Sequence, residues 1–265
     1  MTEKLVSIDL YADFGFLRKP DNNDGLQLSY NMLHKPALIG ILGAIVGLKG
    51  YGHDKSEDKP FKKGDFPEYY DKLKHLLVGI APLEKFHDKG NFAKTSLKYN
   101  NGVGYASGEA GGIWNITESM LIRPAYRCFI LLDVENDIEQ QLYDNLMRGY
   151  AEFIPYLGKN EFQAYWKCFK EYAFETDVKT EFIDIKTLFL KAGQMMKGKV
   201  QKPNPRVRNY QARFMYFERL PVGFDEQLFQ YEMGEFVFTD FTLSNDSEMS
   251  NLYFLSDEKY HIQLI

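Results

Sequence analysis

Apolar residues run almost unbroken from Ala37 to Leu48, and the glycines among them, Gly40, Gly43 and Gly47, fall three and four residues apart. Pro36 suits a first helical turn and Gly50 and Gly52 stop the run, so the pattern predicts one buried helix with a face stripped of side chains. Glycine inside a helix costs roughly 1 kcal/mol against alanine. Three on one face imply a neighbour lying very close to the backbone, a sheet or a nucleic acid. Residues 4–11 alternate instead, with Leu5, Ser7, Asp9 and Tyr11 on one face and Val6, Ile8 and Leu10 on the other, which predicts a central first strand. Residues 12–20 lead from it into a basic turn, and residues 21–25 form a turn by their Asp, Asn and Gly content.

Further along, residues 53–70 are charged and Pro-bearing, a surface insertion. Residues 71–82 place Leu73, Leu76, Leu77 and Ile80 at helical spacing, although the Leu-Leu-Val-Gly-Ile run also suits a strand. Residues 126–133 are apolar on both faces and predict a buried strand. Residues 138–153 repeat Ile138, Leu142, Leu146 and Tyr150 at steps of four, a helix with acids near its start, ended by Pro155 and Gly158. Residues 162–174 alternate as an aromatic strand or strand pair. Past residue 175, residues 178–190 suit a strand then a short helix, 195–205 a basic Pro/Gly linker, and 210–216 and 227–241 strands. The expected fold class is α+β: a ferredoxin-like or RRM-like domain over 1–175 and a smaller, mostly β domain over 176–265.

Residues 84–125 stand apart. Lys85, Lys89, Lys94 and Lys98 punctuate them before a tip rich in glycine, Gly102, Gly104, Gly108, Gly111 and Gly112. The stretch reads as a solvated loop or as a projecting hairpin that orders against a partner. Its glycines match neither a dinucleotide nor a P-loop fingerprint.

Composition narrows the choices. With 45% hydrophobic residues the chain can bury a sizeable core, and its longest apolar helix is too short to span a membrane. The N-terminus lacks signal-peptide architecture, so the expected location is the cytoplasm. Cys128 and Cys168 sit in apolar runs without metal-ligand spacing and read as reduced core thiols; neither a metal nor a cofactor is expected. A net charge of −5 argues against coating nucleic acid by bulk electrostatics. Locally, however, residues 191–219 carry four lysines and four arginines against one acid, and residues 224–258 carry nine acids and no lysine or arginine. Either the basic segment is an anion-binding face, or the two segments are paired strands that neutralise each other.

Several blocks occur together and in order: Ala12-Asp-Phe-Gly-Phe-Leu-Arg-Lys-Pro20, Ser29-Tyr30, Lys35-Pro-Ala-Leu-Ile-Gly-Ile-Leu-Gly-Ala-Ile-Val-Gly47, Leu77-Val-Gly-Ile-Ala81, Arg123-Pro-Ala-Tyr-Arg-Cys-Phe-Ile-Leu-Leu132 and Pro155-Tyr-Leu-Gly-Lys-Asn-Glu-Phe-Gln-Ala164. Over residues 4–175 this set resembles the CRISPR-associated Cas-five family of the RAMP superfamily, most closely the version in type I-B systems. The resemblance implies a non-catalytic subunit of the Cascade surveillance complex. Such a subunit holds the 5′ handle of the crRNA, caps the filament of backbone subunits and contacts the large PAM-reading subunit, meeting target DNA only indirectly. It also implies that residues 84–125 form a β-hairpin thumb. Type I-C relatives cut precursor crRNA themselves.

Single-stranded RNA is held by cations on its backbone and by planar groups that stack on its bases. Arg18, Lys19, Tyr30 and Lys35 flank the glycine-faced helix and Lys49 follows it. Lys94 and Lys98 lie on the thumb, Arg123, Tyr126 and Arg127 at its base, and Lys159 and Asn160 near the later strand. Each also has a plain reading, since exposed lysines are usually solvated and strand tyrosines usually core. Metal-independent RNA cleavage needs a general base and acid; Tyr30, His34 and Lys35 are the one plausible cluster, but His34 reads more readily as a helix-entry residue, which makes catalysis the minority reading. Three functions stay open: the handle-binding subunit, a metal-independent endoribonuclease, and an α+β interaction protein whose basic segment binds an acidic protein surface.

Overall fold

A computed structural model of the chain describes residues 3–21, 25–51, 66–101, 114–176, 180, 182–191, 213–244 and 249–265. Its central layer is an antiparallel sheet of four strands, β1 (Glu3–Ala12), β5 (Leu77–Pro82), β8 (Ala125–Asp133) and β9 (Ala164–Tyr172), in the spatial order β5-β8-β1-β9. Three short strands, β2 (Phe14–Gly15), β3 (Leu17–Arg18) and β4 (Leu26–Tyr30), follow β1. Helices α1 (Lys35–Val46) and α2 (Glu68–Leu73) then lead to β5, and α3 (Asp137–Arg148) joins β8 to β9. Val6, Ile8 and Leu10 of β1 face α1 and α3 in the main core. Leu5 on the other face packs with Phe129, Leu131 and Tyr172 under the C-terminal strands, so β1 is covered on both sides.

Of the glycines of α1, Gly40 and Gly43 share the expected face, both toward Tyr69, and Gly47 does not. Gly43 packs against α2, where an added Cβ would come 2.4 Å from the Tyr69 Cβ. Gly47 lies beyond the helix as its left-handed cap, at φ 80°. The close neighbour is therefore a second helix, not a sheet or a nucleic acid. The Leu-Leu-Val-Gly-Ile run is strand β5, and α3 stops at Gly149 (φ 68°), before Pro155.

Strands β6 (Lys94–Asn101) and β7 (Trp114–Ile122) form an antiparallel hairpin, with Lys94 opposite Leu121. Its base is built in: β7 also pairs with β2 and runs parallel to β4. The glycines Gly102 to Gly112 lie outside the described residues.

The C-terminal third is mostly β, as expected; Ile183, Ile185, Phe189, Val237 and Leu243 form a small cluster of their own, while other residues of this third join the main core. It comprises β10 (Phe174–Thr176), β11 (Phe182–Ile183), β12 (Phe189–Leu190), β13 (Met215–Phe224), β14 (Tyr231–Thr239), β15 (Leu243–Ser244), β16 (Leu252–Leu255) and β17 (Tyr260–Gln263). Leu188, Leu220 and Phe236 join the main core around α1, and Ile265 pairs with Val78 on the free edge of β5. A boundary at residue 175 thus cuts through one apolar cluster. No helix occurs between residues 178 and 190 among the described residues. The basic linker 195–205 lies outside them. Where the charged segments are described they do pair: Lys191 meets Glu235 at 3.1 Å, and Arg219 stands opposite Glu235 in the β13–β14 register.

Cys128 is a buried thiol, pushed up by desolvation, but Cys168 is exposed. It sits at φ 57° where the β1–β9 register slips between Ser7 and Asp9, a bulge that turns it out of the sheet. No helix is long and apolar enough to cross a membrane, and no group of metal-ligating side chains occurs, among the described residues.

Candidate nucleic-acid interface

An open groove of about 770 Å³ runs along α1. Its floor is the stripe Ala37, Gly40 and Ala44, half-buried residues three and four apart whose small side chains leave the helix backbone approachable. Tyr69, Tyr231, Phe153 and Tyr156 wall it, Tyr99 and Glu118 enter from the hairpin, and Arg18 and Lys159 stand at its rim.

Local structure explains why this wall exists. The last carbonyls of a helix have no partner within it, and the segment after α3 supplies partners to α1. Glu152 N–H donates to Ile45 O, Phe153 N–H to Ala44 O, and the Asn145 amide to Ile45 O. The chain then turns through Gly158 (φ 88°), where an added Cβ would fall 1.9 Å from Phe16 O. Only glycine fits there, and the turn presses Tyr156 and Lys159 toward the hairpin base.

Charge at the rim is largely spoken for. Lys159 donates to Glu118 at 2.8 Å and meets Glu161 at 3.3 Å. Desolvation opposes its charge, yet the two carboxylates hold the ammonium above its ordinary value. The Tyr99 hydroxyl donates to the other oxygen of Glu118 at 2.7 Å, and Lys159 Nζ lies 5.1 Å from the Tyr99 ring centre. Glu118 is 3% exposed, so this network locks the hairpin base to the loop after α3.

The remaining candidates separate into distinct environments. Lys19, Tyr30 and Lys94 line a second groove beside β13. Tyr126 is fully buried and donates to Asn31 O at 2.8 Å; it has no face for a base and is a core residue. Tyr30, 1% exposed, is likewise core, with its hydroxyl pushed up to about 12 by desolvation. Arg127 is used inside the sheet, its guanidinium gripping Asp9 at 2.7 and 3.0 Å and held well above its usual range by that pair. Lys35 donates to Ile265 O at 3.1 Å, and desolvation lowers its pKa. Lys49, Lys98, Arg123 and Asn160 are exposed and line neither groove. The sequence missed the aromatic wall, because Tyr69, the pair Phe153 and Tyr156, and Tyr231 come from three separate segments.

His34 caps α1: its Nδ1 accepts from the Ala37 N–H at 3.3 Å, and its ring sits between Tyr30 and Tyr231 at 5.3 and 5.9 Å. Burial pushes its pKa down to about 3. The imidazole is therefore neutral at physiological pH, with one nitrogen committed to the helix.

No family model and no curated protein matches the sequence. Solved structures do. A chain of a CRISPR RNA-guided surveillance complex is 12% identical, with TM-score 0.45 over 90% of this chain and 91% of that one. A CRISPR protein from Archaeoglobus fulgidus is 10% identical, with TM-score 0.47 over 97% and 98%. A chain from a type III-B Cmr-beta structure, bound to cognate target RNA and AMPPnP, is also 10% identical, with TM-score 0.47 over 98% and 99%. The structural neighbours of this chain are CRISPR-associated proteins of low sequence identity.

Proposed function

We propose that this chain is a non-catalytic, RNA-binding subunit of a type I CRISPR surveillance complex. In this reading it holds the 5′ handle of the crRNA, caps the backbone filament and touches the large PAM-reading subunit. The central sheet, two helices crossing between strands in the order β5-β8-β1-β9, serves as the ferredoxin-like layer, and the β6–β7 hairpin as the thumb. The carrying observation is the α1 groove, where an approachable helix backbone lies beside exposed aromatic faces. That is the combination on which a single strand stacks its bases and lays down its backbone. The ordered sequence blocks shared with the Cas-five family supply the identity of the RNA.

The same geometry favours binding over cleavage. Of the trio Tyr30, His34 and Lys35, the tyrosine is buried, the imidazole resists protonation and caps a helix, and the ammonium is held by a main-chain carbonyl. None stands ready as the general acid that a leaving oxygen needs.

The test is a binding gel and a cleavage gel with cognate repeat RNA, run without metal, with and without the backbone subunit. The expected result is retention of the mature handle without a cut. Base–aromatic stacking is worth about 1–3 kcal/mol, so Tyr156→Ala should weaken binding roughly 5- to 150-fold. Gly40→Leu, which fills the floor, should weaken it at least as much. Cleavage abolished by His34→Ala would overturn the reading in favour of the endoribonuclease, and absence of RNA binding in both settings would leave the general interaction protein.

A further inference from the structure

The second groove has a different character. It measures about 960 Å³ and lies along β13, the edge strand of the β12-β14-β13 sheet, facing Lys19, Asp21 and Lys94. The hairpin separates the two grooves: along β6, residues an odd number apart point to opposite faces, so Tyr99 enters the α1 groove while Lys94 enters this one.

Its charges do not cancel. Glu218, the central acid, is 7% exposed in its side chain and saturated with donors. It accepts from Asn31 N–H at 3.0 Å, Met32 N–H at 3.0 Å and the Tyr216 hydroxyl at 2.8 Å, and meets Lys19 at 3.3 Å. Lys94 and Arg219 line the same groove with no hydrogen bond or ion pair among the described residues; Glu235, opposite Arg219 in the β13–β14 register, is engaged by Lys191, and Asp21 is the one further acid in the lining. Lys94 is held below its ordinary value by desolvation; Glu218 opposes that shift and neighbouring Lys19 adds to it. An ammonium so placed gains from any anion that arrives. The Tyr30 hydroxyl, buried in the lining, also has no partner among the described residues. Beside the cations stands an aromatic face, Phe217 at 50% exposure, two residues from Arg219 on the same side of β13.

We infer that this groove is a second single-stranded RNA site, in which Lys94 and Arg219 hold backbone phosphate and Phe217 stacks a base. The inference rests on the RNA-binding reading and extends it: one strand passes over both faces of the hairpin base. Two cations that make no ion pair among the described residues, next to a ring, suit a phosphate with its base, whereas an acidic peptide would use the cations alone.

The test measures affinity of the full chain for fluorescein-labelled repeat RNA across a salt series. Each phosphate contact on a single strand contributes about 0.7 to the slope of log K against log salt. The double variant Lys94→Ala/Arg219→Ala should weaken binding about tenfold and reduce the slope by about 1.4. Tyr156→Ala should weaken binding at constant slope, Phe217→Ala should do the same, and Lys94→Arg/Arg219→Lys should restore the slope. Neither deleted side chain makes a hydrogen bond or ion pair among the described residues, and an unchanged Tm checks that the double variant folds. Full affinity and slope in the double variant, with Tyr156→Ala still impaired, would overturn the second site and leave the RNA reading standing. If the wild-type chain binds no RNA, both fall, and retention of an oligoglutamate probe that the double variant loses would reassign the groove to an acidic peptide.

Discussion

Helices α1 and α3 have equal length, share the main core and both end on a left-handed glycine, yet they are stabilised differently. In α3 the Asn136 side chain accepts from the amides of Ile138 and Glu139, acids fill the first turn, Arg148 closes the last, and Leu142 and Leu146 point inward. Much of its stability is local. Helix α1 has no acid in its first turn and no base in its last, and a neutral imidazole for a cap. Its apolar surface is covered by the sheet, by Tyr69, by the chain after α3 and by β13, leaving one stripe of small residues open. A helix stabilised by its own charges can sit at the rim of a fold; one whose apolar surface is covered by its neighbours can hold a groove, because those neighbours shape the walls.

The sharpest way to break this contrast is Gly43→Val. With the Tyr69 Cβ at 2.4 Å from the added atom, α2 must move, and overpacking of this kind costs about 3 kcal/mol. Urea unfolding should report that loss, and RNA binding should fall with it. Next is pH. Burial holds His34 near 3, so below about pH 6.5 the unfolded chain takes up a proton that the folded chain refuses. Stability from this group is full above pH 6.5 and is lost as pH falls, about 2 kcal/mol by pH 5. His87 and His261, also lowered by burial, act in the same direction. His34→Asn, which keeps a capping acceptor, should flatten the pH dependence of Tm. Removing the α3 cap by Asn136→Ala should cost about 1 kcal/mol at every pH from 5 to 8. Met147→Ala, on the exposed side of α3, should shift stability by less than about 0.5 kcal/mol in the same urea assay.

Elements whose signal is local were legible in the sequence. The four-residue period of Ile138, Leu142 and Leu146 marked α3, and the apolar run 126–133 marked β8. The glycines of α1 correctly announced a close approach, but Tyr69 lies in a six-residue helix with no period to read. Charges were legible and their partners were not. Arg127 meets an acid 118 positions earlier through strand register, and Lys159 one 41 positions earlier through the fold of its loop, so only the tertiary structure reveals that each is spoken for. Tyr30 and Tyr126 became core rather than binding surface for the same reason: which side of a strand is covered depends on what folds over it. The C-terminal third resisted reading because β11, β12 and β15 are two residues long, too short for any alternation.

The bulge in β9 has a practical consequence. Of the two thiols, Cys128 is sealed in the core and Cys168 is turned outward. A maleimide dye added to the native protein therefore attaches at one address, on the central sheet, without any engineered cysteine. Paired with a labelled oligonucleotide, that natural handle makes the direction in which a bound strand runs readable as an energy-transfer distance.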